Sequence, residues 1–327
     1  MKTALGYILA RRGVDNMTEP KLLIVGDLLI DIFHEVDVRK ISPEAPIPVA
    51  SLTGKVFENP GGAGLAATYA AINDIPHLFS TVYDDNTARL LSKNSIEYLI
   101  TNSDMSYNNN IIEKVRYIDK STKYHILRVD NDDITERYLD RSSDRDSFYS
   151  NIEQCLKEFN VTGVLMLDYN KGIFDNSDFC QDIISLCGHR TTYVDSRSSN
   201  LYKFRGVDYL KLNDNESKIA CSSFVCNDMY QLKETLESAN LIVSHGKDGA
   251  SIYSKDDLVF AEPNLDKYSG KPDVTGCGDI LDVLFMSNLC LKDQNVALSL
   301  QKAVDGATDF AFKDVNERLC HSQFQKE

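Results

Sequence analysis

The sequence predicts an α/β fold: a doubly wound, mostly parallel sheet flanked by helices, with a hairpin of half-exposed strands apart from it. Three observations carry that expectation. Continuous apolar runs such as Leu22-Leu23-Ile24-Val25 and Val164-Leu165-Met166-Leu167 have the pattern of strands buried on both faces. From residue 144 onward such runs alternate with helical stretches, the rhythm of successive βα units. Ile111 to Tyr117 and Tyr124 to Arg128 instead alternate apolar with polar residues, as half-exposed hairpin strands do.

The composition sets limits on function. A chain of 327 residues, 43% hydrophobic, buries a sizeable core and predicts one large domain over 21–327 with an N-terminal extension over 1–20. Net charge is −14, which argues against a nucleic-acid or anionic-membrane surface and leaves room for a local basic pocket for phosphates. The eight cysteines lack C-x-x-C spacing and the density of a disulfide scaffold, so reduced thiols in a cytoplasm are expected. Ala4 to Ala10 is too short to span a bilayer, and its arginines, Arg11 and Arg12, follow the apolar run where a secretory signal would put them first. No G-x-x-x-x-G-K-[ST] and no H-E-x-x-H occurs, which excludes a P-loop enzyme and a zincin.

The run from Leu22 ends in Gly26-Asp27, and ligands bind beyond the carboxyl ends of such strands. Asp27 and Asp31 are then either acceptors for vicinal hydroxyls or solvated loop acids. Ile41 to Val49 contains Pro43, Pro46 and Pro48, so it is extended and kept out of a sheet interior. Pro60-Gly61-Gly62-Ala63-Gly64 reads as a turn opening a small-residue helix from Leu65 to Ala71. Later strands end in polar residues: Asp168 to Gly172, Asp195-Ser196-Arg197, Asn213 to Glu216, and Ser244 to Gly249. Such endings repeated along one rim point to a ligand site. Asn213 and Glu216 also have the spacing of a capping box, and Lys171 and Arg197 are also readable as surface charges.

The stretch from Pro272 to Asp279 runs into the apolar segment Ile280 to Met286 and reads as a glycine turn feeding a helix. Backbone N–H groups of Gly276, Cys277 and Gly278 there would stabilise anionic oxygen, helped by the positive end of the helix dipole. Asp279 stands beside them as a potential base. That pairing suits a hydroxyl that loses its proton while attacking a phosphoryl group. The alternative is that Thr275 or Asp279 only caps the helix.

DVTGCGD over 273–279 resembles the D-T-x-G-A-G-D signature of the ribokinase (PfkB) family of sugar and nucleoside kinases, with Val274 and Cys277 as substitutions. The likeness runs from about Leu22 to about Val315. Within that family the Ile41 to Val49 run, D-Y-x-K-G at 168–172 and V-D-S-R at 194–197 resemble heptose-7-phosphate kinases. The resemblance implies a ribokinase-like fold with lid segments at about 34–58 and 108–130, ATP and Mg2+ as cofactors, and Asp279 as base. It implies Asp31, with Asp27, Gly61 and Gly62, at the sugar. Asn213, Ser244, Gly246 and Gly249 would lie at the nucleotide and Glu216 near the metal. Lys171 and Arg197 match basic positions, and Lys114, Arg116, Arg128 and Asp168 complete the expected substrate set around a phosphate already on the sugar. Leu65 departs from the pattern where an asparagine touches the sugar, and Tyr83 departs where a glycine precedes an acidic pair. After Phe312 fifteen residues remain, so a kinase-only chain without a fused nucleotidyltransferase is expected.

The expected reaction is phosphorylation of the anomeric hydroxyl of a heptose 7-phosphate. Alternatives are another sugar or sugar-phosphate kinase, or a non-catalytic kinase fold. The lid's open edges and apolar face predict a homodimer formed through it.

Overall fold

The computed structural model describes residues 18–83, 85–93, 98–99, 111–131, 138–139, 141–255 and 257–313. Most of the expected N-terminal extension, the lid's 108–110, Asp84, and Val315 onward lie outside the described residues. Two sheets are present. The larger holds β1 (Lys21–Gly26), β4 (His77–Ser80), β5 (Tyr98–Leu99), β8 (Val161–Asp168), β9 (Thr191–Ser196), β10 (Tyr209–Asn213), β11 (Asn240–Ser244), β12 (Ala250–Tyr253) and β13 (Leu258–Ala261). The smaller holds β2 (Leu28–Ile41), β3 (Pro48–Gly62), β6 (Ile112–Asp119) and β7 (His125–Asp130).

The large sheet runs β13-β12-β11-β10-β9-β8-β1-β4-β5 and is parallel from β11 through β5. Leu22, Leu23, Ile24 and Val25 are wholly buried. Full burial of each is worth roughly 1.5–3 kcal/mol, which favours the centre of the sheet over an edge. Two apolar layers cover the sheet. One includes Phe148, Phe174, Ile183 and Phe204; the other includes Phe79, Tyr193, Phe285 and Leu300. The antiparallel edge formed by β12 and β13 departs from the expected βα rhythm. Short strands joined by connections too short for an α-helix produce it.

The helices are α1 (Ala63–Ile72), α2 (Asp85–Lys93), α3 (Ser142–Glu158), α4 (Ser177–Cys187), α5 (Asp214–Phe224), α6 (Met229–Thr235), α7 (Cys277–Met286) and α8 (Val296–Phe312). The expected turn at Pro60-Gly61-Gly62 is instead the last stretch of β3, paired to Ile30, Leu29 and Leu28. Gly62, at φ 59°, makes the bend into α1, and a Cβ on it would lie 2.6 Å from the Asp27 carbonyl oxygen.

In the lid sheet, ordered β3-β2-β6-β7, the strands begin earlier than the residue 34 expected, because Leu28 to Ile30 pair with the end of β3. Pro43 and Pro46 lie in the β2–β3 connection, and Pro48 opens the edge strand β3, where a missing N–H costs least. Register puts Asp31, Phe33, Lys114 and Arg116 on one face and Ile32, His34, Val115 and Tyr117 on the other.

Candidate active site

Strand order reverses around β1: β4 and β5 lie on one side and β8 on the other, so the carboxyl ends of β1 and β8 form the crevice of a topological switch point. Asp27 and Asp168 stand there, both wholly buried. Neither presents the free carboxylate expected for sugar hydroxyls. Asp27 accepts from the backbone N–H groups of Tyr169 at 2.9 Å, Lys171 at 3.1 Å and Ile173 at 3.2 Å. Burial, followed by the charge of Asp168, pushes its carboxyl up to about 7. Asp168 accepts from Lys203 Nζ at 2.7 Å, Ser196 Oγ at 2.7 Å and the Asn170 N–H at 2.8 Å. A carboxylate in a low-dielectric interior needs such partners, and here they shape the loop after β8.

That loop aims a side chain at the glycine turn. The Tyr169 hydroxyl donates a short hydrogen bond to Asp279 Oδ1. Gly276, at φ 80°, is the residue before α7 and no side chain caps this helix, so neither Thr275 nor Asp279 acts as its cap. The N–H of Thr275 is taken by Asp273 Oδ1, and the Cys277 N–H by the Val274 carbonyl at 3.2 Å. Leu65, on α1, packs over Gly276 where a Cβ would otherwise sit. Burial pushes the Asp279 carboxyl up to about 6; the hydrogen bond from Tyr169 opposes the rise, the Asp195 charge adds to it, and Lys211 and Arg197 oppose it. A base with that value is ionised at neutral pH and accepts a proton readily.

Beneath the turn lies a buried charge network. Lys211 Nζ, on β10, bonds Asp195 at 2.7 Å and Asp282 at 3.1 Å, and the Tyr193 hydroxyl donates to Asp282 at 2.7 Å. Oxygens of Asp195, Asp279 and Asp282 lie within 4.8 Å of one another. Burial opposes the charge on Lys211, but Asp195 and Asp282 outweigh it and hold its pKa above the ordinary value. Likewise Lys211 and then Arg197 overcome the burial of Asp195 and keep it ionised, whereas burial prevails at Asp282 and pushes it well up.

Arg197 closes the exposed side. Its guanidinium lies over the Tyr169 ring, 5.3 Å from the centroid, and its Nε is 3.6 Å from Glu216 Oε1. Asn213 and Glu216 form a complete capping box on α5, with Glu216 Oε2 accepting from the Asn213 N–H at 2.8 Å. The box leaves Glu216 Oε1 toward Arg197 and solvent. Ser244 ends β11 beside Asn213, and Gly246 and Gly249 take φ of 60° and 97° in the turn that follows. A side chain at Gly249 would strike the Ala261 carbonyl. His245, which the sequence left without a role, ties this turn down through Asp214 at 2.6 Å and Ser251 at 2.8 Å.

On the lid, Asp31 is paired with Arg116, which also lies over Phe33, and Arg128 is paired with Asp130 at 2.8 Å. Arg116 and Arg128, expected at a substrate phosphate, thus each have a carboxylate partner within the lid. Gly61 lies against the Asp31 carboxylate, where a Cβ would be 2.5 Å from Oδ2. Lys114 and Lys171 are half-buried, and Tyr83 is half-buried beside the undescribed Asp84. Direct contacts thus join Asp279, Tyr169, Arg197, Glu216 and Asn213, whereas Asp31 is engaged by Arg116 and Gly61 on the lid.

Sequence reading missed Lys211, Asp282 and Tyr193 and gave Tyr169 and Asp195 no role. A signal existed for two of them: Lys211 and Asp282 are charges inside otherwise apolar runs, Tyr209 to Leu212 and Ile280 to Met286.

No protein-family model matches the chain. Among solved structures, ribokinase of Arabidopsis thaliana complexed with ribose and ATP superposes with a TM-score of 0.64 at 14% identity, covering 90% of this chain and 93% of that one. A point mutant of phosphofructokinase-2 from Escherichia coli gives 0.70 at 12% identity, covering 93% and 96%. The architecture is therefore the ribokinase-like α/β fold of these carbohydrate kinases. Within that class the chain is similar to proteins named bifunctional protein HldE. That of Sulfurimonas denitrificans is 25% identical over 308 residues, covering 89% of this chain and 59% of the relative. That of Vibrio atlanticus is 27% identical over 301 residues, covering 89% and 60%. The chain spans about 60% of the length of these curated relatives.

Proposed function

We propose that the chain is an ATP- and Mg2+-dependent sugar-phosphate kinase that transfers phosphate to the anomeric hydroxyl of D-glycero-D-manno-heptose 7-phosphate. The observation that carries the reading is Asp279: a buried carboxylate at the start of α7, next to backbone N–H groups of a glycine turn and in contact with Tyr169. The sugar hydroxyl gives its proton to Asp279 as its oxygen attacks the γ-phosphorus. The bond from phosphorus to the bridging oxygen breaks, ADP leaves with that electron pair, and the amides of Gly276 and Gly278 stabilise charge on the transferring phosphoryl group; the Cys277 N–H expected beside them is already taken by the Val274 carbonyl. Arg197, beside Asp279, adds positive charge.

Glu216 fits a magnesium site reached through water, because among the described residues Oε1 has only the 3.6 Å contact with Arg197, and the cation takes few protein ligands when phosphates complete its shell. When bound, the ion supplies charge neutralisation on the nucleotide phosphates. The acidic cluster under the turn does not suit a cation, since Lys211 already bonds two of its three carboxylates.

The heptose assignment draws support from similarity to HldE proteins and from the proline-rich β2–β3 connection. Leu65 favours a second reading, a kinase for a different sugar: hydrocarbon replaces the amide expected at that point of the pocket. An ATP-consumption screen over a panel of sugar phosphates and free sugars tests both. Turnover of heptose 7-phosphate above all others supports the first reading, a preference elsewhere supports the second, and no turnover on any sugar sinks both.

The same proposal includes a cytoplasmic homodimer formed through the lid. Leu52, Val56, Leu127 and Val129 leave about half or more of their surface exposed, and β3 and β7 end the lid sheet with open edges. A second copy of the lid would cover both.

A further inference from the structure

Lys211 is an ammonium buried under an anion site. Its side chain is 3% exposed, held at 2.7 Å by Asp195 and 3.1 Å by Asp282, and a Cβ placed on Gly278 would lie only 3.1 Å from Nζ. The amine therefore presses against the underside of the backbone whose N–H groups form the proposed anion hole. Its neighbours on β10, Leu210 and Leu212, are buried in the apolar core, so Lys211 is a charge set into an otherwise apolar strand. Burying a charge costs several kcal/mol even with partners, and an apolar residue of similar size commonly serves stability as well or better.

We infer that Lys211 is a positioning residue for phosphoryl transfer: fixed by Asp195 and Asp282, it supplies permanent positive charge to the floor of the anion hole and to the carboxylate of Asp279. The inference rests on the kinase reading. Asp279 is faced by Tyr169 from the loop after β8, Asp195 on β9, Arg197 beyond it, Lys211 on β10 and Asp282 on its own helix. Of these, Lys211 is the cation held inside the protein, while Arg197 is nearly half-exposed and lies at the solvent side. A charge that cannot move away or hydrate needs no reorganisation when negative charge develops on the phosphoryl oxygens. Asp195 keeps the network near neutrality in the resting protein, and Tyr193 holds Asp282 in register through its 2.7 Å bond.

Two variants and two readouts test the idea. Lys211→Met removes the charge but strands Asp195, so the change is also made in an Asp195→Asn background, where no ionised partner is stranded. Carbon NMR of 13C-labelled aspartate carboxyls, assigned with Asp279→Asn, follows Asp279 directly and needs no turnover. Loss of Lys211 should raise the Asp279 midpoint by roughly one pH unit. It should also lower kcat by about tenfold or more, with KM for the sugar within about twofold. A residue that only supports the fold would leave the midpoint in place. In the Asp195→Asn background, an unchanged midpoint or an unchanged kcat on loss of Lys211 overturns the inference. If the wild-type protein turns over no sugar, the kinase reading fails and the midpoint alone decides whether Lys211 charges the site.

Discussion

Asp279→Asn is the sharpest test of the site. The amide keeps an oxygen for the Tyr169 hydroxyl and removes the basic form, so the geometry around α7 should persist. With the carboxyl pushed up to about 6, about 90% of Asp279 is ionised at pH 7 and about 10% at pH 5. The wild-type kcat should therefore fall about tenfold between those values, with its acid limb centred near 6. Asp279→Asn should lower kcat by ~10²-fold or more, abolish that limb and leave nucleotide affinity nearly unchanged. Stability moves the other way. A folded-state pKa raised above the ordinary 3.8 gives a contribution that is present below that value and lost as pH rises through about 6. Two units correspond to about 3 kcal/mol, so above pH 6 the variant should be at least as stable as the wild type by urea denaturation. A variant that unfolds more easily at pH 8, or one that turns over within tenfold of wild type, refutes the assignment of Asp279 as a buried base.

Other perturbations probe separate parts of the molecule. Lys203→Met strands the buried Asp168 and should cost about 3–5 kcal/mol in urea denaturation, with Lys203→Met/Asp168→Leu recovering most of it; an undisturbed single variant would mean that the fold does not depend on this ion pair. Glutamates at Leu52 and Leu127 should convert a dimer to a monomer by light scattering at micromolar concentration, and a monomeric wild type would remove the lid interface. Lys171→Ala should reduce the preference for a phosphosugar over its parent sugar by at least about tenfold in kcat/KM, the worth of one contact of ~1.4 kcal/mol; equal efficiency of wild type on both sugars contradicts a phosphate-reading site.

The layered sheet was legible because strands buried on both faces must be apolar throughout, and Leu22 to Val25 or Val164 to Leu167 leave no other reading. The glycine turn was legible for a similar local reason: two glycines and an acid ahead of an apolar helix have few other uses. What escaped depends on partners distant in sequence. Asp27 looked like a ligand residue until its oxygens met backbone N–H groups beyond residue 168, and Asp168 until Lys203 reached it. The pairing of Arg116 with Asp31, on a neighbouring strand and far away along the chain, left no local mark in the sequence. Local pattern carries strands and turns; it does not carry the pairing of charges across a sheet.

Leu65 packed over Gly276 has a consequence for what the turn admits. A polar side chain there would hold water against the amides and let a solvent molecule stand where the acceptor hydroxyl belongs. Hydrocarbon at that point leaves water fewer footholds, so under the proposed function a bound nucleotide would be shielded until a sugar arrived with a hydroxyl of its own. In the proposed kinase, the residue that departs most plainly from the family pattern would thereby guard against futile hydrolysis.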